Sequence, residues 1–259
     1  MEGGARAEGS TPPYSLPPSR LQSEDILFCV DVDAESSVEM KVSGAKGRPI
    51  TRLDSIKQSL LLFVNSKLTI NSDHRFAFSA LGQSVSWIRK EFSNEISAAM
   101  AAVHSLSAAA TSYGSADITQ LFRIATQEAK NSHTQDRLFR ILIYCRSSTP
   151  PQHQWPVNQK LFTLDVIYLH DKPGPENCPQ KVFDVLVDAL EHVSEYEGYI
   201  FESGQGLSRV LFRQMCTLLS HPQQRCAQDD LDIPKSLEKK SPPPTDPPAA
   251  EESAANSIQ

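Results

Sequence analysis

Apolar residues along this chain alternate between short continuous runs and longer stretches with helical spacing. The continuous runs lie at residues 26–32, 138–145 and 161–169. A strand that is apolar almost throughout is typical of a parallel sheet covered on both faces. The stretches between these runs repeat their apolar residues every three or four positions, which predicts amphipathic helices. The pattern therefore indicates strands that alternate with helices.

Cap and turn residues refine this order. Thr51 followed by Asp54 predicts the start of the first helix, because a threonine cap with an acid three residues later satisfies backbone donors there. Gly82 and Gln83 separate two short runs, which predicts a hairpin. The predicted order is β-α-β-β-α-α-β-β-α-β-α. The second helix is expected to begin at Ser93, and four of its residues are expected to face inward: Ile96, Met100, Val103 and Leu106.

The predicted domain spans residues 23–222 and is flanked by tails at residues 1–22 and 223–259. Both tails are rich in Pro, Ser and Ala and have little apolar surface to offset the entropy of ordering, so they are predicted to be disordered. Strands spaced by helices imply parallel pairing through right-handed crossovers. The predicted fold is one doubly wound α/β domain with a mostly parallel sheet and one antiparallel edge strand.

Charge and cysteine usage limit the classes of partner and compartment. The chain has 25 Lys and Arg against 31 Asp and Glu, so its net charge of −6 argues against a nucleic-acid-binding protein with a broad basic face. No apolar run reaches the ~18 residues of a membrane span. The five cysteines form no Cys-x-x-Cys pair. This usage favours a reducing compartment, the cytoplasm or the nucleus.

Three acids at alternate positions end the first predicted strand: Asp31, Asp33 and Glu35. Open α/β sheets bind ligands at the carboxyl ends of their strands, and clustered carboxylates could hold Mg²⁺ there. The alternative interpretation is a loop end in which Asp31 caps backbone amides. Arg146, which follows another strand, is expected to lie opposite these acids and to repel a cation. We expect no metal and no cofactor, and neither a catalytic nucleophile with its base nor a zinc-ligand spacing is recognisable.

The element order and these acids resemble the von Willebrand A fold over roughly residues 24–220. The metal site of that family combines Asp-x-Ser-x-Ser after the first strand, a Thr before the third helix and an Asp after the fourth strand. Here Asp31, Asp33 and Glu35 match the first part and Ser115 is nearest to the second. Arg146 stands near the place of the third. The resemblance therefore implies a degenerate metal site with these residues as weak candidates.

Four motifs together give a narrower resemblance. They are Asp-x-Asp-x-Glu after the first strand, Ile-Leu-Ile-Tyr-Cys-Arg-Ser-Ser at the fourth, Asp165-Val-Ile-Tyr-Leu-His170 at the fifth and Leu218-Leu-Ser-His-Pro-Gln-Gln-Arg225 after the last helix. Their joint spacing is similar to the MERIT-forty family, the von Willebrand A-like scaffold subunits of BRISC-type deubiquitinating complexes. The chain would be a plant-like or other divergent member.

That resemblance implies a non-catalytic scaffold in the cytoplasm and nucleus, with a role in DNA damage or signalling. Its implied partners are a Zn²⁺ isopeptidase and a ubiquitin-conjugating-variant-like subunit, in a complex that cleaves ubiquitin chains joined through lysine 63 of ubiquitin. No direct contact with nucleic acid or membrane is implied. The alternatives are a stand-alone, metal-dependent von Willebrand A adhesion or binding domain and a divergent α/β enzyme.

Candidate partner-binding residues lie at the end of the last predicted helix and in one polar loop. The set comprises Leu218, Leu219, His221, Pro222 and Trp155. His221 and Pro222 are equally well explained as a helix stop, because proline cannot continue a helix. Trp155 has polar and proline neighbours, and tryptophan is enriched at interface hot spots. We expect the last helix to run off the domain and to leave Leu218 and Leu219 available to a partner.

Overall fold

A computed structural model describes residues 21–40, 49–145, 149–154, 160–175, 177–204 and 208–231. The strands are β1 Ser23–Asp31, β2 Glu39–Met40, β3 Ile50–Thr51, β4 Arg75–Leu81, β5 Val85–Ser93, β6 Arg137–Cys145, β7 Thr163–Leu169 and β8 Ile200–Ser203. The helices are α1 Arg52–Ile70, α2 Ile96–Ser105, α3 Thr119–His133, α4 Pro179–Val193 and α5 Ser208–Thr217. Short 3-10 turns span Ala34–Ser37, Pro222–Gln224 and Gln228–Asp230.

Six strands form one sheet in the order β5-β4-β1-β6-β7-β8. All neighbours in it are parallel except β4 and β5, which are antiparallel. The short strands β2 and β3 form a separate antiparallel ribbon. The predicted mostly parallel sheet with one antiparallel edge strand is therefore confirmed. None of the described helices is long and apolar enough to cross a membrane.

Helices cover both faces of the sheet, and β1 lies at its centre. Side chains of β1 alternate between the two sides, so that Phe28 packs among Phe63 and Phe78 on one face while Leu27 and Cys29 join the opposite cluster. The first cluster contains residues of α1, α2 and α5, and the second contains residues of α3 and α4. Two-sided burial explains why the middle of each central strand is a continuous apolar run, such as Ile26 to Val30 in β1.

The local predictions hold at α1 and at the hairpin but fail at α2. Thr51 Oγ1 accepts a hydrogen bond from the Asp54 amide at 3.0 Å, which confirms the predicted helix start. Helix α2 begins at Ile96 rather than at Ser93, and its inward face carries Ala99, Ala102 and Val103. Ile96 and Met100, which were expected to face inward, are 42% and 45% exposed. Alanines form most of the inward face, so the larger residues point outward.

The folded region extends past the predicted boundary at residue 222. Arg225 donates to Asp165 at 2.7 Å, and the Gln228 side-chain amide pairs with both the N–H and the carbonyl of Ile200. Leu231 packs against the apolar cluster that includes α5. The correction arises because specific long-range bonds anchor a segment whose composition predicts disorder. The predicted disorder at residues 1–20 and 232–259 concerns positions outside the described residues and stays a prediction.

Candidate functional site

The acids after β1 bind backbone amides of neighbouring loops. Asp31 Oδ1 accepts from the Asp33 amide at 3.0 Å, and Asp33 Oδ1 accepts from the Glu35 amide at 3.3 Å. Asp33 Oδ2 accepts from the Tyr113 amide at 2.6 Å and from the Ser112 hydroxyl at 3.1 Å. Asp31 and Asp33 are both buried. Their carboxylates therefore hold the loop after β1 against the loop before α3.

Ser115, the nearest match to the threonine of the family's metal site, makes a different contact. Its hydroxyl donates to the carbonyl of Pro150 at 2.9 Å. Ser112 and Tyr113 of the same loop, rather than Ser115, are the residues that bond to Asp33. The structure thus brings the loop before α3 to the acids, as the resemblance implied, but through other atoms.

A buried guanidinium lies at the same edge of the sheet. Arg52, the first residue of α1, is 5% exposed and donates to Asp171 at 2.6 Å and to the carbonyl of Glu35 at 3.5 Å. It lines a cavity of about 10 Å³ together with Asp31 and Glu35. That volume is about the minimum for one water molecule. Arg52 therefore ties the loop after β1 to the loop after β7.

These residues do not fit the metal site that the fold family implies. Mg²⁺ requires about six oxygen ligands in near-octahedral order, whereas Asp33 already accepts from three donors and a guanidinium shares the cavity. Across the described ranges, no group of three His, Cys, Asp or Glu side chains could hold a metal ion. Arg146, the expected cation opposite the acids, lies outside the described residues.

A buried ion network occupies the opposite edge of the sheet, and the sequence analysis did not predict it. Its members are Glu24, Lys67, Arg140, Asp165 and Arg225, whose side chains are at most 1% exposed. Lys67 and Arg140 both contact Glu24, and Arg140 and Arg225 both contact Asp165. The network therefore joins β1, α1, β6, β7 and the segment after α5.

Opposite charges keep this network ionised despite its burial. Burial alone would raise the pKa of the Glu24 and Asp165 carboxyls, but neighbouring cations hold both pKa values below their ordinary range. Burial lowers the pKa of the Lys67 ammonium to about 8, and Glu24 opposes that shift. Both carboxylates of the network are fully buried and ion-paired, so neither is exposed for chemistry.

The structure separates the predicted partner-binding residues. Leu218 is fully buried in the core, and its carbonyl accepts from Arg140 at 2.6 Å. His221 and Pro222 are also buried, whereas Leu219 is half-buried. The expectation that Leu218 is available to a partner is wrong, because α5 ends at Thr217 and the chain then turns back toward the start of β1. Trp155 lies outside the described residues.

The outward face of α2 is an uncharged, largely apolar surface whose two large residues the sequence analysis assigned to the core. Ile96 and Met100 are exposed, and so are Ser97, Ala101 and His104 of the same helix. The helix Ile96–Ser105 contains no Asp, Glu, Lys or Arg. That lack of charge was the available signal, since a solvated helix face normally carries charged residues. This α2 face therefore has the composition of a protein contact surface.

Comparison with known proteins relates the chain to one group of complex subunits. No family model matches the sequence. BRISC and BRCA1-A complex member 1 from Xenopus laevis is 25% identical over 236 residues, which cover 83% of this chain and 70% of that protein. The human protein of the same name is 22% identical over 222 residues, which cover 79% of this chain and 66% of that protein. The bovine protein is 22% identical over 255 residues, with coverages of 88% and 75%.

Solved structures agree on the fold. The SpRpn10 VWA domain superposes with a TM-score of 0.50 at 15% identity, covering 75% of this chain and 95% of that domain. The PilB minor pilin from Streptococcus sanguinis gives a TM-score of 0.55 at 8% identity, covering 78% of this chain and 62% of the pilin. The chain thus has weak but consistent homology to BRISC and BRCA1-A complex member 1 over most of its length, on the fold of a von Willebrand A domain.

Proposed function

We propose that this chain is a non-catalytic scaffold subunit of a BRISC-like deubiquitinating complex in the cytoplasm and nucleus, with a role in DNA damage or signalling. Its partners would be a Zn²⁺ isopeptidase and a ubiquitin-conjugating-variant-like subunit, and the complex would cleave ubiquitin chains joined through lysine 63 of ubiquitin. The observation that carries the proposal is the 22–25% identity to BRISC and BRCA1-A complex member 1, which extends over 78–88% of this chain.

The edge of the sheet where this fold class binds ligands supports a non-catalytic role. Hydrolysis of an isopeptide bond needs an activated nucleophile that a substrate can reach. At this edge the carboxylates of Asp31 and Asp33 bind backbone amides, and the adjoining cavity of about 10 Å³ has no room for a peptide. The same features disfavour a stand-alone, metal-dependent adhesion domain, because a ligand residue could not reach a metal there.

The α2 face is the surface that we propose for contact with a partner subunit. Interface cores are depleted of charged residues and enriched in methionine and aromatic residues. Met100 and Ile96 are the large apolar side chains of this uncharged face, and α2 packs beside α1 on the flank of the sheet that ends in β5. A partner that buries the 42% and 45% of these two side chains that is still exposed would gain roughly 0.6–1.3 kcal/mol from each. A scaffold needs a surface of this kind, whereas a solitary domain does not.

Affinity purification of the tagged full-length chain from its own cells, followed by mass spectrometry, tests the proposal. We expect recovery of an isopeptidase with a zinc site and of a ubiquitin-conjugating-variant-like subunit. Met100→Asp should reduce that recovery severalfold, whereas Leu62→Asp is the matched control, because Leu62 is 46% exposed on α1. Recovery of neither subunit would contradict the proposal. Equal recovery of the two subunits with both variants would mean that the α2 face is not part of the interface.

A further inference from the structure

The strand β8 lies at one edge of the sheet, and a groove of about 290 Å³ lies beside it. One wall of this β8 groove is Phe183 of α4, and the other is formed by Arg213, Gln214 and Thr217 of α5. Because α4 and α5 cover opposite faces of the sheet, the groove spans the thickness of the sheet at its edge. It therefore lies where a further strand would add to β8.

Alternate residues of β8 direct their backbone groups away from the sheet and toward this groove. The carbonyls of Tyr199 and Ser203 accept from amides on the β7 side, so the N–H and C=O groups of Ile200 and Glu202 face outward. At Ile200 the side-chain amide of Gln228 pairs with both groups, at 2.8 Å and 2.7 Å. That amide has the chemistry of a peptide group, so Gln228 holds this position as a neighbouring strand would.

The next outward position, Glu202, is only partly bonded. Its carbonyl accepts from Gln214 Nε2 at 2.9 Å. In the part of the chain that the structure describes, neither the Glu202 N–H nor Gln214 Oε1 has a hydrogen-bond partner. Gln214 is 7% exposed, and buried polar groups are nearly always paired. The groove thus presents one donor and one buried acceptor, which match the C=O and the N–H of a single residue in an extended peptide.

The two walls of the groove select the side chains of such a peptide. Arg213 is exposed and, among the described residues, has no acidic partner. Phe183 on the opposite wall is half-buried and apolar. Successive side chains of a strand point to opposite faces of a sheet, so a peptide strand here would direct alternate residues toward Arg213 and toward Phe183. Charge complementarity therefore favours acidic residues that alternate with apolar ones.

We propose that the β8 groove binds an extended segment of a partner protein in which acidic residues alternate with apolar ones. One residue of that segment accepts through its carbonyl from the Glu202 N–H and donates its own N–H to Gln214 Oε1. Backbone bonds of this kind supply affinity when a peptide adds to a sheet edge, and the side-chain contacts supply specificity. The groove lies at the opposite edge of the sheet from the α2 face, so this site is independent of the surface proposed above.

Selection of phage-displayed random linear peptides on the immobilised full-length chain tests this site. The enriched peptides should alternate acidic and apolar residues, and synthetic copies of them should be measured by fluorescence polarisation. Glu202→Pro should weaken their binding by about tenfold or more, because it removes an N–H that no bond within the sheet uses. Glu202→Ala keeps that N–H and is the matched control, which should not weaken binding.

A second variant and a second measurement complete the test. Gln214→Leu removes the buried acceptor and should weaken the same peptides by about tenfold. In the wild-type chain, bound peptide should slow hydrogen exchange of the Glu202 amide by at least about tenfold, which requires no variant to fold. The proposal is overturned if no such peptides are enriched or if their binding leaves exchange of this amide unchanged. Affinity that stays within about twofold of wild type in either folded variant also overturns it.

Discussion

Replacing Arg140 with methionine should lower the free energy of unfolding by about 3–5 kcal/mol, because it breaks two buried ion pairs and leaves a buried carbonyl without its hydrogen bond. Arg140 is fully buried and contacts both carboxylates of the network, Glu24 and Asp165. It also donates to the carbonyl of Leu218 at 2.6 Å and lies over the Phe63 ring, 5.6 Å from the centroid. Methionine would fill much of the volume but replace none of these bonds.

The partners that remain set the size of this loss. Without Arg140, Glu24 keeps Lys67 and Asp165 keeps Arg225, so neither carboxylate is isolated. The Leu218 carbonyl loses its hydrogen bond inside the core, and an unsatisfied buried acceptor costs about 1–3 kcal/mol by itself. The remainder of the loss comes from the two buried ion pairs that Arg140 makes with Glu24 and Asp165, since Lys67 and Arg225 already contact these carboxylates and supply no replacement pair.

Urea unfolding followed by circular dichroism measures this change. Arg75→Met is the matched control, because Arg75 is 30% exposed and its partner Asp25 keeps Arg137 and Ser132. The control should lose about 1 kcal/mol or less, as expected for a partly screened pair. A loss below about 1 kcal/mol for Arg140→Met would refute the reasoning. Methionine packing would then replace nearly all of the stability that Arg140 contributes through the network.

Three further outcomes follow from the same structure. Leu218→Ala should lower the free energy of unfolding by about 2–5 kcal/mol in urea unfolding, and a loss near zero would mean that Leu218 is exposed rather than buried. Stability should fall as the pH drops from 6.5 toward 4, by up to about 1.4 kcal/mol per unit, because the unfolded chain protonates His74 while the fold holds its pKa at about 4. His74→Gln should reduce that slope, to which His221 also contributes because burial lowers its pKa, and an unchanged slope would exclude His74 as a source. Isothermal titration with millimolar Mg²⁺ should show no binding, and a saturable isotherm lost in Asp31→Ala would contradict the description of the acids.

The sheet could be predicted from the sequence because its central strands are buried on both faces and each therefore contains a continuous apolar run. The buried face of α2 could not be predicted in the same way. Four of the ten residues in Ile96–Ser105 are alanine, so nearly every face of this helix looks apolar. Periodicity then favours the largest side chains for the core. In the structure the space beneath α2 is filled by Ala99, Ala102 and Val103, so Ile96 and Met100 face outward.

The buried ion network illustrates a different limit. Glu24 and Asp25 precede the first apolar run, where a charged pair is normally solvated at the start of a strand. In the fold Glu24 instead meets Lys67 of α1 and Arg140 of β6, and the chain's return after α5 brings Arg225 to Asp165 across 60 positions of sequence. No local pattern encodes such a contact. The same return buries Leu218 and sets the true end of the folded region beyond residue 222.

Activity of the purified assembly tests the central claim most directly. The tagged chain should be purified both from its own cells and as an isolated recombinant protein, and each sample should be incubated with di-ubiquitin joined through lysine 63 of ubiquitin. The proposed function predicts cleavage by the cellular sample, loss of that cleavage with a zinc chelator and no cleavage by the isolated chain. Cleavage by the isolated chain would contradict the non-catalytic role, and an inactive cellular sample that contains no isopeptidase would contradict the scaffold role.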